Sequence, residues 1–353
     1  MSSTSSSPLL QAVNVAGYSV RRDLLQRLDG ARRLLGQRDI PHRDTVGWRI
    51  VNMDLMGRNF RYRVTDNDDA HGPAGPGSPP IWAISLHGYF AGGSMYARES
   101  ERLAKRLGWR VVNPSLPGFG GSDALDWGEL TLTALSDHVD IVRRELGIDK
   151  FVILGHSMGA AVAIDYAARH PRDVLGVIYR DGIATPEWQI RRGPISRAFA
   201  TILPDVAPMI DLMSAVALDA PDLLIGHLFS TIRALIPDLR SNVKTVAHSA
   251  PVAMMLMHMD LTESVRHVAA EGVPIYAAWG CFDHVVTTPA ADSFAHAAGI
   301  DIQWVPGGHS WMLARPSGMS DLLTYVPSGV DFNDRVTERA RVLGARGRLR
   351  RIS

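Results

Sequence analysis

The sequence predicts an α/β fold: a mostly parallel sheet with helices on both faces, interrupted by a helical insertion. Three observations predict it. Short apolar runs (IWAISL, WRVVNPS, KFVIL, VLGVIYRD, VPIYAAWG and DIQWVP) recur between Ile81 and Pro306. Segments of helical periodicity separate them, as expected of parallel strands buried on both faces. The alternation stops near Pro186 and resumes at Val273, with only apolar helical segments such as IGHLFSTIRALI and VAMMLMHMDL in between.

Each element can be justified in order. Residues 1 to 47 open as a Ser-rich disordered lead. A helix follows from about Val20 to Gly36, with Leu24, Leu25, Leu28, Ala31, Leu34 and Leu35 on one side and arginines around the rest. The simpler reading docks this helix on its own domain. A basic amphipathic helix can also lie on a membrane surface, which leaves peripheral membrane contact open. WRIVNMDL and RNFRYRVTD alternate as two strands of a hairpin turning at Met56 and Gly57. Beyond the Gly/Pro-rich linker HGPAGPGSPP, helices are expected at Tyr96 to Leu107, Leu132 to Leu146, Ala160 to His170 and Pro289 to Ala298. The core is assigned to 48–186 and 273–330, a helical cap to 187–272, and a basic C-terminal tail to 331–353.

Composition sets limits. The chain has 353 residues, 46% of them apolar and 21% charged, enough for a sizeable core. A net charge of +1 gives no electrostatic reason to expect nucleic acid. Cys281 is the sole cysteine, so neither an intramolecular disulfide nor a multi-cysteine metal site can form. The N-terminus lacks a basic n-region and does not read as a signal peptide. Pro251 to Met257, the most apolar run, is too short to span a bilayer. A soluble, cytoplasmic protein is the expectation.

Four signals carry chemistry. Gly155-His156-Ser157-Met158-Gly159 lies between a strand and a small-residue helix, the strand–turn–helix setting that projects a serine above a sheet edge. His87-Gly88-Tyr89 ends another strand. An oxyanion formed at Ser157 needs two donors, and the backbone N–H groups of Met158 and Tyr89 are the candidates, with Phe90 as the alternative to Tyr89. His87 is then a structural residue of the turn. Asp283 closes Trp279-Gly280-Cys281-Phe282-Asp283 at one strand end, and His309 closes Pro306-Gly307-Gly308-His309 at the last. The order Ser, Asp, His suits a general base, His309, oriented by an acid, Asp283. Cys281 has no elbow behind it and reads as packing. Met209, Met213, Met254, Met255, Met257 and Met259 enrich the insertion, as core or as an adaptable pocket lining.

GHSMG, HG after a strand, PSLPGFGGSD, WGCFD and GGHSW together resemble the α/β-hydrolase superfamily, over roughly Trp48 to Val326. The resemblance implies a mostly parallel eight-stranded sheet, a helical cap after the sixth strand, and a triad of Ser157, Asp283 and His309. Some members carry their acid after the sixth strand, which makes Asp181 the alternative. Relatives that open epoxides or displace halide use a carboxylate nucleophile, so a serine disfavours those activities. The expected function is hydrolysis of a carboxylic ester with an apolar acyl or alcohol group, needing no cofactor or metal. Thioester, amide and C–C hydrolysis or acyl transfer can use the same triad. A non-catalytic ligand-binding protein on the same fold is the rival of another class.

Overall fold

The computed structural model describes residues 48–55, 57–65, 80–189, 236, 238, 240–243 and 245–344. The amphipathic helix expected at 20–36 lies outside them, as do Met209 and Met213.

Eight strands form one sheet: β1 (Trp48–Leu55), β2 (Arg58–Thr65), β3 (Trp82–Leu86), β4 (Arg110–Pro114), β5 (Phe151–His156), β6 (Val174–Arg180), β7 (Ile275–Gly280) and β8 (Ile302–Val305). Their spatial order is β1-β2-β4-β3-β5-β6-β7-β8. β1 and β2 are an antiparallel hairpin with Leu55 opposite Arg58, and Gly57 in its turn takes φ 76°, a value glycine adopts without cost. β2 meets β4 antiparallel, and every pair from β4 to β8 is parallel.

The helices are α1 (Ala97–Leu107), α2 (Leu132–Glu145), α3 (Met158–Arg169), α4 (Val246–Met257), α5 (Thr262–Ala270), α6 (Thr288–Ala298), α7 (Trp311–Ala314), α8 (Gly318–Tyr325) and α9 (Pro327–Leu343). Successive strand residues point to opposite faces, and two separate cores result. On one face Ile153, Ala277 and Trp279 join Leu135 and Val139 of α2, Val162 of α3 and Phe294 of α6. On the other, Val152, Leu154, Tyr276 and Ala278 join Leu103 of α1, Leu323 of α8 and Phe332 of α9. Both faces of the sheet are therefore dry, which is why these strands are apolar throughout.

Two boundaries differ from the sequence expectation. The segment assigned to the insertion through residue 272 includes α5, whose Val265 and Val268 are fully buried in the first core. Its amphipathic stripe faces α3 and α6, so α5 is the crossover helix that feeds β7. The tail assigned from residue 331 likewise begins inside α9. Phe332 and Val336 are buried against β6, close enough that a Cβ at Gly176 would lie 2.8 Å from each. The charge of this segment hides an apolar stripe one turn apart, which binds the helix to the sheet.

Candidate active site

Ser157 occupies the turn between β5 and α3 at φ 53° and ψ −118°, a conformation that costs an L-residue of order 1–3 kcal/mol. The neighbouring glycines are dictated by contact. A Cβ on Gly155 would fall 2.4 Å from the Ala160 Cα, and one on Gly159 would fall 2.5 Å from the Leu86 carbonyl oxygen. The Ser157 N–H donates to the Arg180 carbonyl at the end of β6, 3.1 Å away. Helix α3 starts at Met158, earlier than its small-residue run suggests, so the Met158 N–H has no intrahelical acceptor.

Asp283 lies in the turn after β7. Its Oδ1 accepts the backbone N–H groups of Val285 and Val286 at 2.6 and 2.8 Å. Its Oδ2 is 2.9 Å from His309 Nδ1. An ionised carboxylate only accepts, so Nδ1 carries the hydrogen and Nε2 presents its lone pair. The two loops touch directly: the Phe282 N–H donates to the Gly307 carbonyl, and a Cβ on Gly280 would strike the Gly308 oxygen at 2.1 Å. Ser157 reaches this pair through its neighbour. The His156 ring lies 4.6 Å from the His309 ring, and its Nε2 is 2.8 Å from the His309 carbonyl oxygen.

Asp181, the alternative acid, is fully buried behind the pair. Its Oδ1 accepts the Gly280 N–H and its Oδ2 the Trp311 indole N–H, both at 2.7 Å. Burial, reinforced by the charge of Asp283, holds Asp181 well above the usual carboxylate range. Two adjacent carboxyls in a dry site do not both ionise, and Asp181 is the one that keeps its proton. One ligand atom each from Asp181, Asp283 and His309 lies within 4.8 Å of the others, the spacing of a metal site. Those atoms are already engaged in hydrogen bonds to one another, to Gly280 and to Trp311, which opposes metal ligation.

The loop after β3 flanks the serine. A Cβ on Gly88 would be 3.3 Å from the Ser157 Cβ. His87 is engaged on both sides: the Leu116 N–H donates to its Nε2 at 2.9 Å, so Nδ1 donates to the Gly88 carbonyl at 2.8 Å. Burial lowers its pKa to about 4, and the ring stays neutral. The Tyr89 hydroxyl donates to the Ser249 carbonyl of α4, and Phe90 takes φ 59°. Asn242, from the insertion, donates to the Phe90 and Ala91 carbonyls and accepts the Gly120 N–H. Asn242 and Tyr96 had no local signal in the sequence, because each matters only through a partner distant along the chain, and Trp311 was legible only as the end of GGHSW, not as a partner of Asp181. Cys281 is buried. Met259 is part of the first core, Met255 and Met257 rest against it, and Met254 is exposed.

Comparison with known proteins bears on the fold. The α/β hydrolase fold family matches residues 84–207. A protein of Mycobacterium phage D29 that carries the name "Putative non-heme haloperoxidase" is 29% identical over 254 residues, 70% of this chain and 87% of that protein. The 2-hydroxy-6-oxononadienedioate/2-hydroxy-6-oxononatrienedioate hydrolase of Klebsiella pneumoniae is 28% identical over 148 residues, 40% of this chain and 47% of that enzyme. Among solved structures, the enol-lactonase from Burkholderia xenovorans LB400 superposes with a TM-score of 0.57 at 20% identity, covering 80% of this chain and 100% of that one. With a serine in the turn between β5 and α3, an aspartate after β7, a histidine after β8 and this sheet order, the chain has the α/β-hydrolase fold.

Proposed function

We propose that this hydrolase cleaves a carboxylic ester through an acyl-enzyme on Ser157, with His309 as general base and Asp283 as the acid that orients it. The 2.9 Å bond from His309 Nδ1 to Asp283, beside a serine held at positive φ, carries the reading. His309 Nε2 takes the Ser157 Oγ proton as Oγ attacks the ester carbonyl. The backbone N–H groups of Met158 and Tyr89 stabilise the oxyanion. Collapse breaks the acyl–oxygen bond, and the imidazolium returns its proton to the leaving alkoxide. Water, deprotonated by His309, then attacks the acyl-serine and releases the acid. Asp181 is a buried neutral neighbour of the acid on this reading.

We read the part of the insertion before α5 as a cap. The bond from Tyr89 to Ser249 supports α4 lying over the site, and the buried Val252 and Leu256 support an apolar underside. Each methylene removed from water contributes about 0.8 kcal/mol. A p-nitrophenyl ester series should therefore show kcat/KM rising from acetyl to butyryl or hexanoyl. Ser157→Ala should reduce turnover by about 10⁴- to 10⁶-fold with the fold intact. More than a few per cent residual activity in the purified variant would remove Ser157 from the mechanism, and a preference for acetate would remove the apolar pocket. The Klebsiella relative favours a second reading, C–C bond hydrolysis by the same residues. Its mark would be ester turnover orders of magnitude slower than cleavage of a vinylogous diketone.

A further inference from the structure

The side chain beside the nucleophile, His156, is buried and has a partner on each ring nitrogen. Its Nε2 lies 2.8 Å from the His309 backbone oxygen, and its Nδ1 lies 2.6 Å from the Tyr96 hydroxyl. The Tyr96 oxygen in turn accepts the Gly88 N–H at 3.4 Å. The proton inventory permits only one direction. A carbonyl cannot donate, so Nε2 must carry the hydrogen; Nδ1 is then a lone pair, and Tyr96 must donate to it. The remaining Tyr96 lone pair faces the Gly88 N–H. Three loops that leave the sheet at β3, β5 and β8 are thus joined by one run of bonds.

We propose that Tyr96 and His156 are positioning residues. They form a one-way chain, Gly88 N–H to Tyr96 oxygen, Tyr96 O–H to His156 Nδ1 and His156 Nε2–H to the His309 carbonyl, that sets the oxyanion loop, the elbow and the histidine loop at their working separations. The proposal rests on the reading of Ser157 and His309 as nucleophile and base.

The surroundings suit a fixed brace. β8 is separated from β5 by β6 and β7, so ladder bonds alone do not tie the His309 loop to the elbow. The chain links them directly. His309 is then held at its backbone by His156 and at Nδ1 by Asp283, which leaves its Nε2 little freedom. Beneath the chain, Arg180 is completely buried, paired with Glu99, and its guanidinium sits 5.4 Å from the centre of the Tyr96 ring. Arg180 also reaches the Gly155 carbonyl and the Ser85 hydroxyl. Burial and the nearby charges of His309 and Arg180 hold His156 well below the usual imidazole range, and burial raises the Tyr96 phenol. Neither group changes charge near neutrality, so the chain keeps its direction.

Buried polar groups find partners whatever their role, so the test must separate positioning from folding. Full-length wild type, Tyr96→Phe, His156→Gln and His156→Leu are compared for kcat and KM on p-nitrophenyl butyrate, for thermal midpoint, and for serine titre with a fluorophosphonate. Tyr96→Phe should lose about 10- to 100-fold in kcat, the cost of an ångström-scale misplacement, with KM within about twofold and a wild-type titre. His156→Gln keeps an N–H near the Nε2 position and should recover at least about tenfold in kcat over His156→Leu. An unchanged kcat in Tyr96→Phe overturns the proposal. So does a loss explained wholly by a lower serine titre, or equal activities for His156→Gln and His156→Leu. If Tyr96→Phe fails to fold, the His156 pair decides. Failure of the underlying triad looks different: the wild type would not be labelled at Ser157, or Ser157→Ala would remain active.

Discussion

Ser157, Phe90 and Asp181 are the non-glycine residues that take positive φ among the described residues, and all three belong to the site. Strain of this kind persists only where the surroundings enforce it. At Ser157 they do so through the bond to Arg180 and the close approach of Gly155 and Gly159 to their neighbours. Removing the side chain should relieve it. Ser157→Gly should be inactive yet about 1 kcal/mol more stable than Ser157→Ala, even after glycine's entropy cost in the unfolded chain. Urea denaturation of the two variants checks this, and equal midpoints would deny the strain. The two carboxyls divide at the same scale. Asp283→Asn puts His309 in the wrong tautomer and should cost about 10⁴-fold in kcat. Asp181→Asn can still accept from Gly280, losing only the Trp311 bond, and should stay within about tenfold of wild type. Reversed results would place the working acid after β6.

At the scale of elements, the helices differ in which end of the sheet they serve. α9 packs its Phe332 and Val336 over Gly176, near the start of β6, while Ser157 lies beyond the end of β5. Phe332 is 2% exposed and also meets the Tyr276 ring at 5.7 Å. Phe332→Ala should therefore cost about 3–5 kcal/mol and lower the thermal midpoint by roughly 5–10 °C. The kcat of the folded fraction should not change. A variant with wild-type stability would mean α9 is a solvated appendage after all. The insertion behaves differently: Asn242 grips the Phe90 and Ala91 carbonyls, and Thr245 donates to the Gly118 carbonyl. These polar contacts tie its described part to the loops around the site, beside the apolar ones that Val252 and Leu256 make in the first core.

For the molecule as a whole, buried titratable groups set the response to acid. Burial lowers His87 and His138 to about 4 and holds His156 well below its usual value. In the unfolded chain these imidazoles take up protons below about pH 6.5, so their contribution is present above that pH and is lost as pH falls towards 4. Asp181, held well above 3.8, and Asp238, raised to about 6, act in the opposite sense, because the folded chain keeps protons that the unfolded one sheds. As pH falls towards 4 the three histidines favour unfolding and the two aspartates oppose it, and the histidines are the more numerous. Urea midpoints at pH 6.5, 5.5 and 4.5 should fall in that order. A rise on acidification would mean that the histidines are charged in the fold. No helix among the described residues is long and apolar enough to cross a membrane.

What could be read from the residues alone is what local periodicity and local geometry determine. The alternation of apolar runs and helices specified a parallel sheet dry on both faces. G-x-S-x-G after a strand located the elbow, because that turn is a property of consecutive residues. Asp283 and His309 stood out by their positions at strand ends, and the structure brings them within 2.9 Å. The choice between Asp283 and Asp181 was a different matter, since both follow apolar strands. Only the packed sheet puts Asp283 2.9 Å from the imidazole and buries Asp181 behind it against Trp311 and Gly280. The ends of the core were hidden for the same reason: the stripes of α5 and α9 become core only when a partner surface meets them. The chain from Gly88 through Tyr96 and His156 to His309 joins residues up to 153 positions apart. Local sequence carries no trace of it, because a hydrogen bond between distant loops exists only once the sheet has brought their strand ends together.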